Sequence, residues 1–157
     1  MRRFIYFTVF FILLFIFIIL MINTDQKAQT IKDQSGSTMR AAKGDTVWVL
    51  LNQVKADKRE QFEKFVHEIL WPVALKLDPI DQKVAKQTRV LHPIEMNKDS
   101  TYTYVFLMDP VIPGASYEVM YYLKKGYGEE KAKEYSNMFG ECFASPQVGY
   151  MLIQSEH

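Results

Sequence analysis

The hydrophobic pattern changes from a strand period to a helix period near residue 55. Residues 46–54 (TVWVLLNQV) are rich in Val and Leu and apolar on both alternating faces, which predicts a strand covered on both sides. Asp57 and Glu60 then stand as a capping box, which predicts a helix beginning near Lys58. Pro72 predicts a kink in this helix, because proline removes a backbone donor and clashes with the preceding turn. The apolar residues of the helix share one sector of a helical wheel: Phe62, Phe65, Val66, Ile69, Leu70, Val73 and Leu77.

A β-hairpin is predicted after this helix, which should end at Asp78 and Pro79. Residues 87–95 form an extended run, in which Pro93 indicates an edge or irregular strand. Residues 101–109 (TYTYVFLMD) place aromatic residues and Met on one face and Thr, Val and Leu on the other. Turn residues separate the two runs, so we expect the strands to pair antiparallel.

Two helices and a last strand are predicted in the remainder of the chain. Residues 116–125 predict a short helix that Gly126 and Gly128 break. Residues 129–143 predict a longer helix with one apolar and one charged side, and residues 148–155 predict the final strand. The order βαββαβ predicts an α+β domain of the ferredoxin-like type, an antiparallel sheet with helices on one face.

The second face of this sheet needs a cover that the predicted helices do not provide. The strands at 46–54 and 101–109 are substantially apolar or aromatic on both faces. A second copy of the chain is the simplest cover, because a two-fold axis lets both copies bury the same surface. The sequence therefore predicts a homodimer that joins sheet to sheet.

A hydrophobic segment precedes this domain. Residues 1–22 are predicted to be an N-terminal hydrophobic helix that acts as a membrane anchor or signal segment, because residues 4–22 carry no charge and can span a bilayer. Cleavage after Ala28 would place Gln26 where a small residue is required, which favours an uncleaved anchor. The short tail before the apolar segment favours an extracytoplasmic domain. Secretion after signal cleavage is the alternative. Residues 23–44 predict a polar linker, and residues 45–157 a single domain.

Charge and cysteine content exclude several classes of function. Residues 45–157 carry thirteen Lys and Arg against sixteen Asp and Glu without a basic run, so no nucleic-acid partner is expected. Cys142 is the only cysteine, which excludes an internal disulfide and lipid attachment near the apolar segment. No second His, Cys or carboxylate accompanies a histidine at ligand spacing, so no metal site is expected.

The strand VWVLLNQVK, the turn ADKRE and the helix QFEKFVHEIL resemble the opening of the dimeric α+β barrel superfamily, which includes the antibiotic-biosynthesis-type monooxygenases. The likeness extends over residues 46–155 in element order. It implies the ferredoxin-like fold, dimerisation and activities that range from cofactor-free oxygenation to none. Of the residue set used by the heme-degrading branch, Asn52 matches, whereas the required Trp and His have no counterpart in residues 101–109 and 129–143. No cofactor is therefore predicted.

Five residues are candidates for a site in the cleft between sheet and helices. His92 is the candidate general base, and Asn52 is a candidate catalytic amide. His67 and Trp71, spaced i and i+4, and Tyr104 are candidates for ligand binding. Each also has a structural interpretation, as a satisfied core residue or part of a dimer edge.

Two functions therefore remain open from the sequence. One is a membrane-tethered or exported enzyme of the cofactor-independent oxygenase type that binds a small aromatic or apolar ligand. The other is a non-catalytic binding or assembly module in which the same aromatic residues form an interface. An open cavity between helices and sheet would favour a ligand, and a closed interior would favour assembly.

Overall fold

The computed structural model describes residues 40–156. The predicted anchor at residues 4–22 and most of the predicted linker at 23–44 lie outside the described residues. Within 40–156, none of the helices has the length and apolar character needed to cross a membrane. Residues 41–45 are attached to the domain, since the backbone N–H of Ala41 donates to Asp109 and that of Gly44 to the carbonyl of Gln154.

Four antiparallel strands form one sheet, in the order β2-β3-β1-β4. The strands are β1 (Thr46–Lys55), β2 (Thr88–Leu91), β3 (Thr101–Met108) and β4 (Val148–Ile153). The helices are α1 (Arg59–Lys64), α2 (Trp71–Ala74), α3 (Pro79–Gln87), α4 (Val119–Tyr127) and α5 (Glu129–Gly140). The α+β class, the antiparallel sheet and the predicted β2-β3 hairpin are confirmed, and the strand order is compatible with a ferredoxin-like fold.

The helices cover one face of the sheet. Val54 of β1 and Tyr104, Phe106 and Met108 of β3 point toward the helices and belong to the buried core. The opposite face is formed in the centre by alternate residues of the same strands, Val49, Leu51, Val105 and Leu107, which stay partly exposed. This surface, called the open face below, is left uncovered by the described chain.

A π-helical segment, Phe65–Leu70, joins α1 to α2 and ends two residues before Pro72. The backbone N–H of Trp71 reaches back five residues to the carbonyl of Val66. The wider turn accommodates a proline within the helix, whose ring would otherwise clash with the preceding turn. The predicted irregularity at Pro72 is therefore present, as a change of helix type.

The start of this helical segment differs from the prediction. A short 3-10 turn, Ala56–Lys58, comes first, and α1 begins at Arg59 without a side-chain cap. Asp57 therefore does not cap the helix.

One helix was not predicted from the sequence. Asp78 and Pro79 begin α3 as well as ending the previous segment, because the Asp78 carboxylate accepts the N–H of Asp81 at 3.3 Å and Pro79 occupies the first turn. Since α3 extends to Gln87, β2 is confined to Thr88–Leu91. His92 therefore lies just after β2, whereas the sequence predicted that it would lie within a strand.

Gly126 lies inside α4, although the sequence predicted that it would break the helix. A Cβ atom at this position would lie 1.8 Å from Cγ2 of Val73, so glycine allows α4 to approach α2 closely. The helix instead ends at Gly128, whose φ of 81° favours glycine.

Candidate functional site

An apolar cavity of about 500 Å³ lies between the sheet and the helices. Its walls include two tryptophans, Trp48 of β1 and Trp71 of α2, together with Phe106, Met108, Tyr117 and Tyr122. Edge-to-face contacts support these walls, with ring centroids 5.8 Å apart for Trp48 and Tyr117 and 6.0 Å apart for Trp71 and Phe106. Exposed residues among the lining, Glu118, Gly140 and Gln147, mark where the cavity meets solvent.

Asn52 is fully buried on the helix side of β1, and its amide is paired within the protein. Nδ2 donates to the carbonyl of Leu50 at 3.2 Å and to that of Tyr104 at 3.4 Å. Its Oδ1 accepts from Nε2 of Gln147, which lines the cavity. The side chain of Gln147 thus connects Asn52 to the cavity, and Asn52 needs no ligand to satisfy its amide.

A polar cluster is centred on Glu63 of α1, outside the cavity lining. The hydroxyl of Tyr104 and Nε of Arg59 both donate to Oε1 of Glu63, the latter at 3.1 Å. Nδ1 of His92 lies 3.7 Å from the same oxygen. One carboxylate therefore lies beside three groups that can donate a hydrogen bond: a phenol, a guanidinium and an imidazole.

His67 and His92 form a pair at the exposed end of this cluster. Their Nε2 atoms are 3.2 Å apart, and their rings lie 5.2 Å apart between centroids with only 18° between their planes. Two imidazole nitrogens at this distance share one hydrogen bond, so one Nε2 carries a proton and the other accepts it. The ring of His92 also meets that of Tyr104 edge to face.

Burial and hydrogen bonding shift the pKa values of the central pair in opposite directions. Burial, followed by the hydrogen bond to the Glu63 carboxylate, raises the pKa of Tyr104 to about 12. The Tyr104 hydroxyl, and then Arg59, lower the pKa of Glu63 below its ordinary value of 4.5. The hydrogen bond to Glu63 also raises the pKa of Arg59. At neutral pH the cluster thus holds an ionised carboxylate, a neutral phenol and a guanidinium.

The structure divides four of the five predicted site residues between these two places. His67, His92 and Tyr104 come together in the polar cluster, and Trp71 lines the cavity. Asn52 belongs to neither place. Its side chain donates to the backbone carbonyl of Tyr104 and accepts from Gln147, and it contacts neither the histidine pair nor Glu63.

Sequence reasoning missed Arg59 and Glu63. Together with His67 and Trp71 they form one series spaced by four residues along the helical segment 59–74. This spacing places side chains on one stripe of a helix, so the signal that paired His67 with Trp71 extends to both residues. They were overlooked because a charged pair at i and i+4 is usually a solvated surface pair.

Among residues 40–156, no group of three or more His, Cys, Asp or Glu side chains is arranged to hold a metal ion. Cys142 is buried, and its Sγ donates to the carbonyl of Met138 at 3.2 Å. Burial raises the pKa of this thiol, which makes it a poor nucleophile.

No family model and no curated protein matches the chain. One similar solved structure is a Caulobacter crescentus protein whose assignment as an antibiotic biosynthesis monooxygenase is itself provisional. The two chains share 18% identity, and the match covers 73% of this chain and 92% of the other with a TM-score of 0.39. Its description names the class of protein that the opening strand and helix resemble. At this level of similarity it carries no information on the activity of this chain.

Proposed function

We propose that this domain binds a small, largely apolar ligand in the cavity between its sheet and helices. The observation that carries the proposal is the cavity of about 500 Å³, walled by aromatic residues from the sheet, the α2 helix and the segment around α4. Ligand sites in proteins are typically concave and mostly apolar, with volumes of roughly 300 to 1,000 Å³. A packed interior, as an assembly module would have, leaves no such space.

Intrinsic fluorescence offers a direct test of this proposal. The sequence contains two tryptophans, Trp48 and Trp71, and both line the cavity, so a bound ligand should alter the whole tryptophan signal. Titration with a panel of phenols and quinones should give saturable quenching and a rise in melting temperature. A panel without any saturable change would overturn the proposal.

A matched pair of variants on α5 separates cavity binding from surface binding. Ser136 lines the cavity and is half-buried, whereas the next residue, Asn137, is exposed and outside the lining. Ser136→Phe should abolish most of the saturable quenching because its ring takes volume that the ligand needs. Asn137→Phe should bind as the unmodified protein does.

A second candidate function is acid-base catalysis at His92. The observation that favours it is the position of His92 between the Glu63 carboxylate and Nε2 of His67, an arrangement that orients a base and supplies a proton path. The resemblance to cofactor-independent oxygenases suggests a phenolic or other aromatic substrate. His92 is partly exposed and lies outside the cavity lining, so its substrate would approach the polar cluster from solvent. Turnover of such a substrate should fall in His92→Ala and Asn52→Ala, and undiminished turnover in both variants would remove this candidate.

We further propose that the protein is a membrane-anchored homodimer with an extracytoplasmic domain. The partly exposed apolar residues of the open face support dimerisation, and the uncharged residues 4–22 support the anchor. Carbonate washing of cell membranes should leave the full chain in the membrane fraction. Recovery of soluble protein with an N-terminus between residues 23 and 43 would instead establish secretion after cleavage.

A further inference from the structure

The charge at the cavity mouth narrows the chemistry of the ligand. Of the residues that line the cavity in the described chain, Glu118 alone carries a formal charge at neutral pH, and no Lys, Arg or His accompanies it. The lining tyrosines Tyr117 and Tyr122 stay neutral there, since burial raises the pKa of both. The formal charge that a bound ligand meets is therefore negative.

The Glu118 carboxylate has no cation of its own within residues 40–156. It precedes α4, is exposed, makes no side-chain cap and takes part in none of the ion pairs formed there. The two lysines of α4 are already engaged: Lys124 lies 3.1 Å from Glu129, and Lys125 lies 2.7 Å from the buried Asp81. The carboxylate at the mouth is thus free to pair with a ligand.

The aromatic walls favour the same kind of ligand. Trp48, Trp71, Tyr117 and Tyr122 line the cavity, and the faces of aromatic rings attract organic cations through their quadrupoles. An anionic ligand would meet these rings and the Glu118 carboxylate without a compensating positive charge. The aromatic walls and the Glu118 carboxylate therefore both favour a positively charged ligand.

Building on the ligand-binding function proposed above, we propose that the cavity selects organic cations: an aromatic body inside, with a protonated amine at the mouth against Glu118. Glu118 repels a ligand of the same shape that carries a carboxylate in place of the amine. Since Glu118 is exposed, the charge contribution is modest. We expect roughly five- to tenfold discrimination between amine and carboxylate at low salt, shrinking as salt is added.

Three probes of one shape test this selectivity: 2-phenylethylamine, 2-phenylethanol and 3-phenylpropionate. The full chain is placed in phosphatidylcholine nanodiscs, and tryptophan fluorescence is excited at 295 nm, where the probes do not absorb. Empty nanodiscs with free tryptophan amide correct for partitioning into lipid. The expected order of affinity is amine, then alcohol, then carboxylate.

Variants at the mouth identify the group responsible. Glu118→Gln should reduce amine affinity to that of the alcohol while leaving alcohol binding unchanged, and Glu118→Lys should reverse the preference. Glu95→Gln is the matched control, because Glu95 is exposed and lies outside the cavity lining. This variant should retain the amine preference.

Several results would overturn the selectivity. Equal or weaker binding of the amine than of the alcohol, or an amine preference that survives Glu118→Gln, removes the cation proposal while ligand binding stands. Failure of all three probes also removes it. If the phenols and quinones fail as well, the ligand-binding function itself is refuted.

Discussion

Glu63 is the residue on which the polar cluster depends. Its carboxylate accepts from Tyr104, a buried residue of the central strand β3, and from Arg59 one helical turn away. An isolated surface pair such as Arg59 and Glu63 contributes little to stability, because water solvates both partners. The Tyr104 phenol gives this carboxylate a larger role in stability. The buried hydroxyl loses its water on folding and must be paired, and Glu63 is its partner.

The first prediction concerns this hydroxyl. Tyr104→Phe should lower the free energy of unfolding by about 1 kcal/mol, the ordinary net value of such a hydrogen bond. Urea denaturation of residues 40–157 measures it. Tyr135→Phe on α5 is the control, since the Tyr135 hydroxyl takes part in none of the hydrogen bonds within residues 40–156 and its loss should change stability by less than about 0.5 kcal/mol. An equal effect of both substitutions would contradict the role assigned to the Tyr104 hydroxyl.

The second prediction concerns acid stability. The pKa of Glu63 is lower in the folded chain than its ordinary value of 4.5, so its stabilising contribution is complete above that pH. The contribution is lost as pH falls from about 4.5 toward the folded pKa, because protonation then occurs first in the unfolded chain. Glu63→Gln should therefore destabilise the protein at pH 7. It should also reduce the amount of stability that the protein loses as the pH falls below about 4.5.

The measurement for this prediction is the free energy of unfolding between pH 3 and pH 7. Some acid sensitivity should remain, because Lys125 also lowers the pKa of Asp78. Glu60→Gln on the same helix is the control, since Glu60 is exposed and forms no ion pair within the described chain. Parallel pH profiles for Glu63→Gln and the unmodified protein would refute the linkage.

At the level of elements, close packing between two helices shapes the cavity that lies between the helices and the sheet. The segment 59–74 changes to a π-helix before Pro72, and α4 then packs against α2 through Gly126. Trp71 of α2 and Val119 and Met120 at the start of α4 all line the cavity. The glycine is therefore a packing requirement rather than a helix terminator.

The third prediction uses two helical glycines with opposite surroundings. Gly126→Ala should destabilise the fold by about 1 to 3 kcal/mol, because its Cβ would overlap Cγ2 of Val73. Gly140→Ala should stabilise it by roughly 0.5 to 1 kcal/mol, since no atom lies within 4 Å of the added Cβ.

A double-mutant cycle tests the cause assigned to the Gly126 effect. Val73→Ala removes the overlapping methyl groups, so the cost of Gly126→Ala should shrink in that background. Stability is again measured by urea denaturation. Additive effects of the two substitutions would show that the helix contact is not responsible.

At the scale of the whole molecule, one face of the sheet is left uncovered by residues 40–156. Val49 of β1 lies directly opposite Leu107 of β3 at its centre. Further apolar residues of β4 continue it, with Val148 44%, Tyr150 51% and Leu152 50% exposed. Exposed apolar residues grouped in this way are typical of protein interaction sites, and they motivate the dimer prediction.

The fourth prediction is that residues 40–157 form a dimer at micromolar concentration, measured by light scattering coupled to size exclusion. Val49→Glu should convert it to a folded monomer, because Val49 lies between Leu107 and Tyr150 and each copy would then bury an unpaired charge at the interface. Leu75→Glu is the control, since Leu75 is 40% exposed at the end of the helical segment, away from the sheet. A monomeric unmodified domain would sink the dimer proposal.

The sequence by itself determined most of the local elements and which strand residues share a face, because both follow from periodicity; only the structure decided which face meets the helices. The alternation of Tyr102, Tyr104, Phe106 and Met108 predicts one common face, and the structure places them against the helices. The same reasoning missed α3, since Asp78 followed by Pro79 ends one helix and begins another with the same two residues.

Tertiary structure alone decided the site. His67 meets His92 across 25 residues of chain, and Glu63 meets Tyr104 across 41. Such contacts depend on how far each helix is shifted and rotated over the sheet, which the π-helical segment and the close approach at Gly126 determine. The cavity arises in the same way, because empty space is a property of how elements pack together and no single stretch of sequence encodes it.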